Sequence, residues 1–411
     1  EKFRDAKVDG LFVPHCNFGT EYEVCRLAKK LNVPVLLWGP RDECPDENGM
    51  RLRDSQCGLF ATGKVLRRFG IPFTYLKNCN LEDECFAEGI DRFLRVCNVV
   101  KAFRNTRVLQ ISTRPFDFWS TMCNEGELLE KFGIQLSPIP MPELTQAMKD
   151  VKENSPEEIK EVTDYCREKM CIKVTPEQLD NVAALKIAMT RLGKKYGCNC
   201  GAIQCWNALQ DEIGIMPCAA NALCNDEGFP IACETDIHGT ITSVLVEAAA
   251  MGETRSFFAD WTVRHPYNDN AELLQHCGPW PISIAKEKPT IDTPVAFDCS
   301  GSLMAQAKDG EHISLVRFDG DNGEYSLLLG NAKTVDGPYT KGTYMWVEVE
   351  NLDRLEDKLV QGPYIHHCVG VHQDVVPVLY EACKYIGVTP DLYDPIEEKV
   401  KAIIRGEKVE K

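Results

Sequence analysis

The chain has 411 residues, room for two or three domains with sizeable cores, so neither a disulfide scaffold nor a structural metal is needed for stability. Its 46 Lys and Arg against 62 Asp and Glu give a formal charge of −16, which argues against nucleic acid or an anionic membrane face as a partner. With 44% hydrophobic and 26% charged residues and no run of 18 apolar residues, the composition is that of a folded chain that does not span a membrane.

Twenty cysteines stand out. Many lie inside apolar runs, as Cys16, Cys171 and Cys368 do, where a free thiol acts as a small buried hydrophobe; the reading is a protein of the reducing cytoplasm. The chain opens on Glu1 rather than Met, which leads us to expect a leading segment ahead of it that carries the first strand of its domain.

Along the first hundred residues, short apolar runs alternate with amphipathic ones. Strands are predicted at 9–16, 33–39 and 72–76, with a helix starting near Thr20, where Thr20 and Glu23 fit a capping box, and a second over the segment DSQCGLFATGKVLRRFG. A polar loop with Asp42, Glu43, Pro45 and Asp46 separates them. This spacing implies βαβ units and a parallel sheet.

A second such series follows: a strand at 107–113, a helix through NEGELLEKFG, the segment IQLSPIP, and a helical stretch from Ser155 to Tyr196 with two starts, SPEE and TPEQ, each with Pro at the first helical position. A strand at 201–206 opens the part richest in chemistry. From about Pro294 the pattern changes to alternating β runs (HISLVRF, EYSLLLG, TYMWVEVE) separated by Gly-Asp-Asn-Gly and Asp-Gly-Pro turns, and a last helix is predicted at about 373–386. The expected domains are 1–104 and 105–293, both α/β, and a β-rich, barrel-like domain at 294–411.

No Walker loop, GxSxG elbow or GxGxxG is present. Three segments stand out instead. In PIACETDIHG, a strand runs into Glu234 and Asp236 ahead of a helix; if the strand persists, both carboxylates share a side at the ligand-binding end of an α/β sheet, although an Asp there also serves as a plain N-cap. In LQDEIGIMP, Glu212 sits among apolar residues, either solvated on a loop or buried for a purpose. In GPYIHHCVGVHQD, His366 and His367 would face opposite ways on a strand, so one of them at most reaches a given centre. Imidazole with two carboxylates is a donor set that suits Mn²⁺, while the rival cluster Cys198, Cys200, Cys205 and Cys218 has the wrong spacing for zinc.

Taken together, ACETDIHG, the upstream Glu212 and the late IHHC resemble the L-fucose isomerase and L-arabinose isomerase superfamily, across essentially the whole chain. NVPVLLWGPRDE, RDSQCG and QHCGPWP are similar to its smaller, cysteine-rich members, whereas the chain is much shorter than the classical fucose isomerases. The resemblance implies two Rossmann-like parallel-sheet α/β domains before a β-rich one, and a divalent cation held by a Glu, the Asp of E-x-D and a late His. These map onto Glu212, about two dozen residues before Asp236, onto Asp236 itself, and onto His367, with His366 and His276 as substrate contacts. The implied reaction is metal-dependent aldose–ketose isomerisation through an enediol, with Glu212 and Asp236 as the acid–base pair and L-fucose, arabinose or sulfoquinovose as substrate. Trp38 is a candidate for stacking on the sugar, and Arg41, Arg114 and Arg264 for meeting a sulfonate. The resemblance also implies a homo-oligomer, hexamer or trimer, with active sites between subunits. A sugar-binding protein without chemistry and a metal-dependent aldolase are the rival readings.

Overall fold

The computed structural model describes residues 1–294 and 298–409, which divide into two compact units. The fold is mixed α/β, with two parallel sheets and a larger mixed one.

The first unit joins residues 1–102 to 375–390 and 395–411. Its sheet is three parallel strands in sequence order: β1 (Leu11–Pro14), β2 (Val35–Trp38) and β3 (Thr74–Tyr75). The four residues of β2 are all buried, as expected of a central parallel strand covered on both faces. Helices Glu21–Leu31 and Ser55–Arg68 supply Cys25, Ala28, Leu59 and Leu66 to this core. The predicted capping box at Thr20 does not form: its hydroxyl donates to the Glu23 carboxylate and accepts from no helix N–H. The late helix Val376–Ile386 belongs to this unit and not to the β-rich part: Thr74 Oγ1 donates to Glu381 (2.6 Å) and Tyr385 OH donates to the Val35 carbonyl (3.2 Å).

In the second unit the chain runs through β4 (Arg107–Ile111), β5 (Gln135–Ile139), the two-residue β6 (Cys171–Ile172), β7 (Cys200–Ile203) and β8 (Ile231–Ala232). Strands β5, β4, β7 and β8 form a parallel sheet in that order. Helices Met141–Asn154, Pro156–Lys169 and Pro176–Tyr196 enter the core beneath it. The last begins with a full capping box, in which Thr175 accepts from the Gln178 N–H and Gln178 from that of Thr175, a pairing that fixes the start signalled by TPEQ.

The remaining strands are β9 (Phe257–His265), β10 (Asn268–His276), β11 (Thr290–Asp292), β12 (Ser302–Gln306), β13 (Ile313–Asp321), β14 (Glu324–Val335), β15 (Thr343–Glu348), β16 (His367–Val371) and β17 (Thr389–Asp394). Strands β14, β13, β16, β9, β10 and β15 pair in that order, and β15 returns to β14, so six strands close into a ring with no free edge. The β13–β14 hairpin turns on Asn322 and Gly323, both at positive φ (49° and 79°), as a two-residue turn requires. The ring begins at Phe257, well before residue 294: β9 and β10 lack strict alternation because the ring buries both of their faces for part of their length.

Inside this ring, Glu272 of β10 is 8% exposed and one of its oxygens has no hydrogen-bond partner among the described residues. Burial pushes its carboxyl from an ordinary 4.5 up to about 7; the Glu356 charge adds to the effect and Arg264 opposes it. The folded state therefore favours the protonated form, and its ionisation penalty grows as pH rises from about 4.5 through 7. Glu272→Gln is expected to be more stable than the parent at pH 8 by roughly 1–3 kcal/mol, with the gap closing near pH 4, in urea melts across that range. An equal effect at both pH values would contradict this account.

Candidate active site

The centre forms where β8 gives way to the helix Ile237–Ala249. The strand predicted to carry Glu234 ends at Ala232, and the chain turns sharply, with Glu234 and Thr235 both at positive φ (58° and 54°). Two consecutive left-handed residues that are not glycine are strained, and such strain persists where the surroundings over-determine it. The surroundings here are specific. Thr235 Oγ1 donates to the Thr113 carbonyl (3.1 Å), and Asp236 caps the helix by accepting from Gly239 N–H (2.9 Å). Gly239 is needed at that position, because an added Cβ would lie 2.5 Å from the Phe258 ring and 2.7 Å from the Asp236 carboxylate.

Asp236 does more than cap. Arg317 of β13 donates to both of its oxygens, through Nη1 to Oδ2 and through Nη2 to Oδ1 (3.1 Å), and His367 Nδ1 lies 2.8 Å from Oδ2. Burial works to raise the Asp236 pKa, but Arg317 and His367 outweigh it and hold the carboxyl well below the usual range. The same guanidinium donates through Nε to Asp319 (2.9 Å), which in turn meets His238 Nδ1 (2.9 Å). On the other side, His367 Nε2 is 3.0 Å from Glu234 Oε2 and 3.6 Å from Asp260 Oδ1. The result is a buried chain of alternating sign, Glu234, His367, Asp236, Arg317 and Asp319, with the His238 ring against its far end. Burial alone would lower the His367 pKa, but its hydrogen bonds to Asp236 and Glu234 raise it to about 10.

The barrel supplies the rest. His367 and Asp260 are direct partners across β16 and β9, so cross-strand pairing sets them side by side. His276, at the end of β10, is 2% exposed; its Nδ1 accepts from Cys277 N–H (2.9 Å) and its Nε2 faces Asp260 Oδ1 at 3.9 Å. Glu234, His276 and His367 form one candidate metal-holding group, and Asp260, His366 and His367 another. His366 is exposed, packed against the His367 ring (4.2 Å between centroids), and Phe118 lies flat over His367 at 6.2 Å.

Of the residues singled out from the sequence, the fold brings together Asp236, His367, His366 and His276. Glu212 is exposed on the short helix Ala208–Ile213, whose outer side carries it to solvent, and it is not among the converging groups. Trp38 is a core residue of the first unit: it is 3% exposed, its Nε1–H donates to Cys79 Sγ (3.3 Å), and it packs on Phe86, so it has no free face for a sugar. The cysteine quartet does not assemble. Cys200 donates to the Arg107 carbonyl, whereas Cys205 and Cys218 lie beside Cys233, and all twenty cysteines are free. Asp260, Arg317 and Asp319 were missed, although each is a charge set in an otherwise apolar strand, which is a readable signal.

Arg317→Met would leave Asp236 and Asp319 buried without the guanidinium that pairs them. A loss of about 3–5 kcal/mol in urea denaturation is expected. A loss below about 1 kcal/mol would mean that the pair is not what holds this region together.

Comparison with known proteins agrees with this architecture. Residues 1–104 match the model of the fucose/sulfoquinovose isomerase N-terminal domain. Proteins named sulfoquinovose isomerase from Priestia aryabhattai and Priestia megaterium are each 24% identical over 400 residues, covering 96% of this chain and 87% of theirs. One from Alkalicoccus urumqiensis is 24% identical over 357 residues, or 86% of this chain and 79% of its own. The chain is thus similar to the fucose/sulfoquinovose isomerases, through its N-terminal domain in the family model and over most of its length in these relatives.

Proposed function

We propose that the chain is a metal-dependent aldose–ketose isomerase acting on a substituted aldose, sulfoquinovose first among the candidates. The observation that carries this reading is the meeting of Glu234 Oε2, Asp260 Oδ1, His276 Nε2 and His367 Nε2 at one place in the fold. Carboxylate and imidazole donors suit Mn²⁺ better than a structural zinc ion.

Two of these groups differ in what they offer. If His367 carries its hydrogen on Nδ1 and donates it in the hydrogen bond to Asp236, a lone pair is left on Nε2, the arrangement of an imidazole ligand backed by a carboxylate. His276 is the reverse: a backbone N–H can only donate, so Nδ1 accepts, Nε2 keeps its proton, and that N–H serves a sugar oxygen. Glu234, Asp260 and His367 would thus hold the cation, with Asp236 orienting His367, since both oxygens of Asp236 are already engaged by Arg317, Gly239 and His367. When bound, the cation supplies Lewis-acid polarisation of the sugar's carbonyl and hydroxyl oxygens. Moving a proton between C1 and C2 requires a carboxylate on either side of that locus. Glu234 and Asp260 flank His367 Nε2 in this way, one taking the proton and the other returning it. The Phe118 and His366 rings pack together beside His367.

Mn²⁺ as the resident ion, a hexamer or trimer with sites between subunits, and a cytoplasmic setting for the free thiols complete the reading. Incubation with Mn²⁺ and a panel of sulfoquinovose, L-fucose and the arabinoses, assayed for ketose, tests it directly. Ketose is expected, cleavage products would indicate an aldolase, and binding without turnover would indicate a sugar-binding protein. Chelation with EDTA is expected to abolish turnover and Mn²⁺ to restore it; turnover indifferent to both would remove the metal from the proposal.

A paired substitution separates geometry from spacing. Glu234→Gln is expected to lower kcat by about 10³-fold, as loss of a catalytic carboxylate does, while Glu212→Gln stays within a few-fold of the parent. The opposite pattern would return the role to Glu212.

A further inference from the structure

The relatives' shared name describes a sugar with a sulfonate, and three arginines were open to meet such a group. The structure separates them. Arg264 is committed to two carboxylates, Asp353 (2.6 Å) and Glu356 (2.6 Å). Arg41 is exposed in the first unit. Arg114 lies immediately after the Thr113 carbonyl that anchors Thr235, the residue between Glu234 and Asp236.

Arg114 is half-buried and lines a cavity of about 270 Å³ together with Gln110, Thr121, Cys123, Thr235 and Ile237. Its Nη1 donates to three backbone carbonyls, those of Pro115 (3.1 Å), Phe116 (3.0 Å) and Phe118 (3.4 Å). This leaves the Nε and Nη2 edge of the fork with no hydrogen bond among the described residues. Two links tie the cavity to the reaction centre. The loop that Arg114 staples carries Phe118, whose ring lies over His367, and the Cys123 thiol in its wall is close enough to Asp236 to feel that charge. Glu125 lies at the rim but is exposed, so solvent screens it.

The geometry points to Arg114 as the recognition residue for a tetrahedral oxyanion, a sulfonate or phosphate, on the sugar carbon remote from the carbonyl. One edge of the guanidinium is fixed by the loop, so the other is presented ready-oriented, the condition under which a planar fork binds an oxyanion through two parallel hydrogen bonds. This inference rests on the isomerase reading for its substrate but can be measured apart from it.

The test uses methyl α-sulfoquinovoside, a glycoside that cannot isomerise, with its 6-phosphate counterpart and methyl α-glucoside beside it, titrated calorimetrically into the parent, Arg114→Met and Arg114→Lys. The parent is expected to bind one or both anionic glycosides, and their ratio tells sulfonate from phosphate recognition. Arg114→Met is expected to weaken the anionic binding about 10- to 100-fold while leaving the neutral glycoside within about 3-fold, with Arg114→Lys intermediate. Equal weakening of all three would show that Arg114 only braces its loop, and unchanged anionic binding would remove it from recognition; either result overturns the inference. Because the probe undergoes no reaction, the inference stands or falls even if the panel of aldoses yields no ketose. Conversely, ketose formation with Arg114→Met indifferent to the anion leaves the isomerase reading standing alone.

Discussion

A buried guanidinium between two buried carboxylates is the constraint on which this centre rests. Arg317 is 1% exposed and pairs with both Asp236 and Asp319, two carboxylates that burial alone would push toward the neutral form. With Arg317 in place, Asp236 is held as an anion, and an anionic Asp236 can do three things together: start the helix Ile237–Ala249, fix one ring nitrogen of His367, and anchor a strained turn that aims Glu234. Withdraw the positive charge and all three lose their footing. Strand β13 of the ring, which bears Arg317, packs on the helix Ile237–Ala249 that follows β8, and this brings the guanidinium to Asp236.

The order of elements was legible in the sequence because each carried its own period or punctuation: buried runs for the parallel strands, Pro at the first helical turn after Ser155 and Thr175, and Asn-Gly at the β13–β14 hairpin. Asp236 and His367 were legible through the company they keep in ACETDIHG and IHHC. What the sequence could not convey was register in three dimensions. Asp260 enters the centre only because β9 pairs with β16 opposite His367, a partnership between residues more than a hundred positions apart. Glu234 reaches it through two left-handed residues that no propensity predicts. A count of residues selected Glu212, while the turn brings Glu234 to the centre, and Trp38, a candidate for stacking on the sugar although a strand-end Trp is more often core, lies in the core against Cys79 and Phe86. The closed ring was also hidden, because β9 and β10 are too buried to alternate cleanly.

The cysteines acquire a more limited meaning than their number suggests. Cys205, Cys218 and Cys233 crowd behind the turn, with Asn221 donating to Cys233 Sγ (3.5 Å). Sulfur is larger than a methyl yet asks for little hydrogen bonding, so it fills space beside a charged centre without competing for its donors. Burial raises the thiols of Cys277 and Cys368, which keeps them neutral and inert beside carboxylates that an extra anion would disturb.

The turn, the ring and the parallel sheet contribute to one centre in a way that bears on ancestry. Glu234 and Asp236 come from the sheet side, whereas Asp260, Arg317 and His367 come from the ring. The buried ion pair Asp236–Arg317 has one partner in each half, so neither half holds that pair alone. A chain that lost or exchanged one of these modules would therefore be left with a defect in folding as well as in chemistry, so the two are bound to be inherited as a single evolutionary unit.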